Sequence, residues 1–160
     1  MAALDDERLT LVGLLLESSA AVRSQLDKQL VRDTGLTLQS FELLLRLARA
    51  PGRHLRMSDL AARSGLTPSG LTRAVDRLEA AGLVARKPCP SDGRGAYTAL
   101  TPAGLSTLRS AVRPHLDHVE RCVTGVLSPA ERAQLTALLR KVRDHVNPAA
   151  VGAIPVGPAT

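Results

Sequence analysis

A chain of 160 residues with 44% hydrophobic content can bury one core, so the sequence is that of a folded globular protein. One Phe, one Tyr and no Trp exclude recognition of single strands by stacking bases on aromatic platforms. The formal charge of +6 divides as −1 over residues 1–52, +4 over 53–94 and +3 over 95–160, which favours a polyanionic partner at the middle third, although 18 of the 21 basic residues are Arg and part of this charge reflects composition.

Residues 5–33 carry one long helical pattern, with Leu9, Val12, Leu16, Leu26 and Leu30 on one face and Leu11, Leu14, Leu15 and Val22 on others; a helix apolar on several sides needs several partners. A second helix spans about Thr37 to Ala50 around Phe41, Leu44, Leu45 and Leu47. After the extended stretch RHLRM, Ser58 caps a short third helix that Gly65 ends. The fourth helix starts from Thr67 as N-cap with Pro68 at the first helical position, and it stops at Gly82. Gly70 in its first turn costs about 1 kcal/mol against Ala. Packing alone would not select it, so the small polar turn implies close approach of a ligand to the backbone.

LVARK and AYTAL read as two short strands joined by the polar turn PSDGRG. Thr101–Pro102 opens a fifth helix reaching about Val126. Ser128, Pro129 and Glu131 open a sixth with a capping box. The final stretch, residues 148–160, has Pro and Gly but no charge and reads as a flexible tail.

A short helix, a Gly-containing turn, a longer helix and a basic hairpin make a winged helix-turn-helix. The first turn of such a recognition helix enters the major groove of double-stranded DNA, which assigns Thr67, Ser69, Gly70, Thr72 and Arg73 to the DNA side and Leu71, Val75 and Leu78 to the core. Ser58, Arg77 and Arg86 join the DNA-facing set. Arg73 is better placed for a base edge than Arg77, which is equally suited to pairing with Asp76 or Glu79.

MSDLAARSGLTPSGLTRAVDRLEAAGLVARK followed by DGRGAYTALTPAG resembles the helix-turn-helix and the Asp-x-Arg…Leu-Thr-x-x-Gly wing of the MarR family of transcriptional regulators, and the resemblance runs in element order from residue 5 to 146. It implies a mainly α fold with a two-stranded β wing. Residues 36–101 would be the DNA-binding lobe, and 1–35 with 102–147 the helical dimerisation region. It implies further that Arg94 at the wing tip enters the minor groove, that Asp92 orients it, and that a homodimer binds a pseudo-palindromic operator, most simply as a repressor. Gly93 and the KPCPS stretch depart from the commonest form of this wing. The hairpin alone leaves Arg94 as a solvated arginine and Asp92 as a turn residue. The family often binds small aromatic acids between the dimer helices and the DNA-binding lobe, where Arg23, Arg46, Arg49 and His115 are the candidate partners of a carboxylate.

The rival reading is a metal-gated sensor or small metalloprotein using His115, His118 and Cys122, spaced i, i+3 and i+7. The stripe Leu108, Val112, His115, Val119, Cys122, Val126 is, however, a helix-packing seam, which accounts for His115 and Cys122 as buried interface residues. No metal or other cofactor is expected. No carboxylate pair, phosphate loop or nucleophile elbow supports an enzyme. The family's peroxide sensors carry a cysteine near the start of the first helix, where this chain has none. Cys89, after Lys87, reads as a passive surface thiol. Two cysteines without metal spacing and no secretory leader fit the reduced cytoplasm. The apolar run Leu9–Leu16 is too short for a membrane span.

Overall fold

Asp6 nucleates the first helix by accepting a hydrogen bond from the Arg8 amide at 2.9 Å, and α1 (Glu7–Thr34) then runs to Gly35. The computed structural model describes residues 4–89 and 92–148, without the side chains of Cys89 and residues 92–95. The expected flexible tail therefore falls outside the described residues, apart from its first position.

Thr37 caps α2 (Leu38–Arg49), while Asp27 of α1 accepts from the Leu38 amide at 2.8 Å, so the start of α2 is satisfied partly by its neighbour. A Pro51–Gly52 turn leads into β1 (His54–Arg56), followed by α3 (Met57–Ser64) and α4 (Pro68–Ala80). Next come the hairpin strands β2 (Val84–Cys89) and β3 (Asp92–Leu100), then α5 (Pro102–Cys122) and α6 (Pro129–Val146).

The expected two-stranded wing is part of a three-stranded antiparallel sheet of order β1-β3-β2, in which Leu55 lies opposite Thr98 and Arg86 opposite Thr98 from the other side. Three residues of RHLRM are long enough to pair but too short to show strand alternation. Two further expectations fail. Ser58 does not cap α3: it lies inside the first turn, exposed, and the N-cap is Arg56, without a side-chain bond. Cys122 is exposed rather than buried, because the apolar seam of α5 leaves the core after His115, the last residue of this helix that is buried.

The core is one cluster, built from Leu30, Phe41, Leu44, Leu47, Leu60, Leu71, Ala74, Val75, Leu78 and Leu108 among others, and it ties α2, α3 and α4 to the C-terminal part of α1 and the N-terminal part of α5. Elsewhere apolar side chains stand uncovered. Leu9, Leu11, Leu14 and Leu16 of α1 are exposed, and α6 buries no residue although it carries Leu135, Leu138, Leu139 and Val142.

The joint between wing and α5 is close-packed. Thr101 caps α5, with the Gly104 amide donating to its Oγ1 at 2.9 Å, and the same hydroxyl reaches the carbonyls of Gly82 and Leu83. A Cβ on Gly104 would lie 2.0 Å from the Leu83 carbonyl oxygen. The Leu-Thr-x-x-Gly stretch thus has a steric basis: Leu100 packs against the core, Thr101 fastens the joint, and Gly104 lets the helix touch the strand backbone.

Candidate nucleic-acid interface

Gly65, at φ 66, adopts the left-handed conformation that ends α3, and Leu66 and Thr67 complete the turn into α4. Thr67 Oγ1 accepts from the Gly70 amide at 3.1 Å, and a Cβ at Gly70 would sit 3.0 Å from that oxygen. A side chain at this position is compatible with such a cap, as Ser40 under Thr37 and Glu131 under Ser128 show, so this contact alone does not select glycine. Leu71, Ala74, Val75 and Leu78 bury one face of α4, as expected for the first, third and fourth of them. The opposite face presents Ser69, Thr72, Arg73, Asp76 and Arg77 to solvent in one stripe, with Thr67 and Pro68 at its head.

Within this stripe the polar groups differ in freedom. The Thr72 hydroxyl donates back to the Pro68 carbonyl at 3.0 Å, leaving its oxygen as an acceptor. Arg77 donates to Gln39 Oε1 at 3.2 Å, a neutral partner that steadies the guanidinium without cancelling its charge. The Arg77–acid pairs that the sequence allows do not form. Arg86 on β2 occupies those acids instead, at 2.5 Å from Asp76 and 2.5 Å from Glu79, with its own amide donating to Glu79 at 2.9 Å. Asp76 chiefly, with Glu79 adding, raises the Arg86 pKa against the cost of burial.

Arg86 is thus held by two helix acids rather than standing free. It binds the hairpin to α4 and offsets two carboxylates on or beside the exposed stripe. Asp76 and Glu79, three residues apart and followed by a basic strand, were the available signal. We expect Arg86→Met to weaken DNA binding and the triple variant with Asp76→Asn and Glu79→Gln to recover most of it, measured by duplex titration; an Arg86 that contacted phosphate directly would show no such recovery.

Asp92 and Arg94 lie at the start of β3, where Cys89 pairs with Asp92 after a register shift, and their side chains, like the Cys89 thiol, are outside the described set. At the other end of the hairpin, Arg56 Nε donates to the Tyr97 hydroxyl at 3.3 Å and Thr98 is fully buried, which fixes the base of the wing.

A separate cavity of about 260 Å³ opens between α1, α2 and α5, lined by Leu26, Leu38, Phe41, Arg46, Arg49 and His115 with Glu42 and Leu45. It gathers three of the four candidates for carboxylate binding. The fourth, Arg23, does not line the cavity itself but stands 3.8 Å from Glu42, which does. Arg46 Nε is buried without a hydrogen-bond partner, and burial lowers the Arg46 pKa, with Glu42 opposing. His115 is buried against Phe41, with ring centroids 4.5 Å apart, and its Nδ1 lies 2.9 Å from Gln29 Oε1. Gln29 Nε2 donates to Asp33, so its Oε1 must accept and the His115 proton sits on Nδ1. Burial first, then His118, lowers the His115 pKa, so the ring is neutral with Nε2 as its acceptor.

The proposed metal trio does not assemble. His115 turns inward to Gln29, while His118 and Cys122 meet outside with Nε2 and Sγ 3.4 Å apart, and no group of three possible ligands clusters among the described residues. Among those residues, too, no helix is long and apolar enough to cross a membrane.

Comparison with known proteins agrees with this geometry. The MarR family profile matches residues 34–95, the helix-turn-helix and most of the hairpin. The regulator PecS of Dickeya dadantii is 30% identical over 144 residues, covering 89% of this chain and 86% of that protein. Sco3205, a MarR-family regulator of Streptomyces coelicolor solved in complex with DNA, superposes with a TM-score of 0.82 at 36% identity, over 88% of this chain and 91% of that one. BpsR of Bordetella bronchiseptica, whose DNA binding is regulated by 6-hydroxynicotinic acid, is 27% identical with a TM-score of 0.72, over 84% and 99%. On these matches the chain belongs to the MarR family: it is a DNA-binding transcriptional regulator and not an enzyme.

Proposed function

We propose that the protein is a homodimeric repressor that binds a pseudo-palindromic operator in the cytoplasm and is released by a small aromatic acid. The observation that carries the DNA reading is the exposed stripe of α4, in which Arg73 has no hydrogen-bond or ion-pair partner among the described residues and stands one turn from Arg77 and one from Ser69. Thr67, Ser69, Gly70 and Thr72 bring the backbone close to the duplex, Arg73 reads a base edge, and Arg77 and Ser58 meet phosphates. Arg94, oriented by Asp92, supplies the minor-groove contact. The uncovered apolar faces of α1 and α6 support the dimer, since a helix that buries nothing in its own chain gains stability from a partner. Residues 36–101 then act as the reading lobe and 1–35 with 102–147 as the dimerisation region.

The α1–α2–α5 cavity supports the effector. An unpartnered buried Arg46 Nε invites a carboxylate, Phe41 and the leucines accommodate a ring, and the His115 Nε2 lone pair accepts from a ring hydroxyl. A hydroxylated aromatic acid fits all three. Operator titrations with and without 2-hydroxybenzoate test both halves: Arg73→Ala should cost about 1–3 kcal/mol on the operator and little on scrambled duplex, and Arg46→Gln should keep operator binding while losing release by the acid. An equal loss on both duplexes would make Arg73 a phosphate clamp, and unchanged release in Arg46→Gln would remove the cavity from the mechanism.

A further inference from the structure

A second cavity, of about 340 Å³, lies at the base of the wing, where the Pro51–Gly52 turn, the end of β3 and the first turns of α5 meet. Its lining is two-sided. Leu100, Pro102 and Leu105 provide an apolar floor, and Arg53, Arg109 and Ser106 provide polar groups around it. Neither Arg53 nor Arg109 has a hydrogen bond or ion pair through its side chain among the described residues, whereas the nearby Arg56 is engaged with Tyr97. Two guanidinium groups sharing one cavity with no carboxylate in its lining repel each other and leave an uncompensated positive field there.

Arg53 is also held in an unusual way. It is the one non-glycine among the described residues with a positive φ, 55°, and its amide is tied to the Ala50 carbonyl at 2.9 Å across the Pro51–Gly52 turn. The turn therefore fixes where this arginine leaves the backbone.

The cavity is not an extension of the DNA-reading surface. No α3 or α4 residue lines it, and Leu100 is eight residues along β3 from Asp92, which at strand rise puts it roughly 27 Å from the wing tip. It is also distinct from the α1–α2–α5 cavity, with which it shares no residue.

We propose that this cavity binds a small organic phosphate monoester, its dianionic head between Arg53 and Arg109 and its apolar part on Leu100 and Leu105. A dianion matches two fixed cations, guanidinium forks suit phosphate oxygens, and the apolar floor accounts for an organic substituent.

The test is calorimetric titration of the full-length chain with phenyl phosphate in a phosphate- and sulfate-free buffer, with benzoate as the singly charged comparison. Phenyl phosphate should bind with a dissociation constant at or below about 1 mM, and Arg53→Gln and Arg109→Gln should each weaken it about tenfold or more. Both arginines are exposed, so thermal midpoints should not change. Arg46→Gln should leave phenyl phosphate binding as it is, and benzoate should bind more weakly at this site. Absence of binding up to about 10 mM, or binding indifferent to Arg109→Gln, overturns the proposal. Binding lost in Arg46→Gln assigns the phosphate to the other cavity and also overturns it. If Arg109→Gln spares phenyl phosphate but lowers operator affinity and its salt dependence, the pair is a DNA-backbone contact instead.

Discussion

Gly104→Ala should lower the thermal midpoint by roughly 5–10 °C, equivalent to about 2–3 kcal/mol, an unusually large effect for one added methyl group. The added carbon would lie 2.0 Å from the Leu83 carbonyl oxygen and 2.9 Å from a Leu100 methyl. That carbonyl cannot withdraw easily, because it receives both the Thr101 amide at 3.1 Å and the Thr101 hydroxyl at 3.1 Å. Relief must come from α5 lifting off the strand, which breaks the cap as well as the contact. The better helix propensity of Ala returns at most about 1 kcal/mol. Circular-dichroism melts of the wild type and variant measure the loss, and an unchanged midpoint would show that α5 does not rest on Leu83 in solution.

The second large effect concerns the proposed dimer. Removing residues 1–18 takes away Leu9, Leu11, Val12, Leu14, Leu15 and Leu16, each exposed in the single chain and each worth about 1.5–3 kcal/mol when fully buried. The shortened chain should sediment as a monomer at micromolar concentration and bind the operator at least about 100-fold more weakly, because two linked half-site contacts become one. Leu138→Glu on α6 tests the same surface without truncation, since α6 buries no residue of its own chain and the monomer fold should survive. A stable monomer of the unaltered chain under these conditions would reject the dimer.

Much of this architecture is legible in the sequence because its helices announce their starts. Thr67, Thr101 and Ser128 each precede a proline and each accepts the capping bond that its position requires, and the Ser128–Glu131 box closes in both directions. Local chemistry settles such features within four residues. The features that escaped depend on distant neighbours. His54–Arg56 becomes a strand only because Tyr97–Ala99 lies opposite. Ser58 has the right type for a cap but stands two positions too late, inside the turn. The ion pairs of Arg86 are hidden for the same reason: only the fold sets a basic strand residue beside acids of the preceding helix. The exposure of Cys122 is not legible because seam spacing along a helix says which side is apolar, not what covers it.

The Thr101 joint also has a mechanical meaning. Recognition helix, wing and α5 converge on the Gly82–Leu83 carbonyls, and α5 extends from that point for 21 residues, about 31 Å, with Pro114 within it. A lever of that length converts a turn of about 5° at its pivot into a displacement of roughly 3 Å at the far end, close to the 3.4 Å rise of one base pair. In the proposed two-fold dimer both levers would act on the distance between reading heads, so a ligand that tilted either one by a few degrees would put the heads out of step with the proposed operator while every proposed DNA-contact residue kept its local shape.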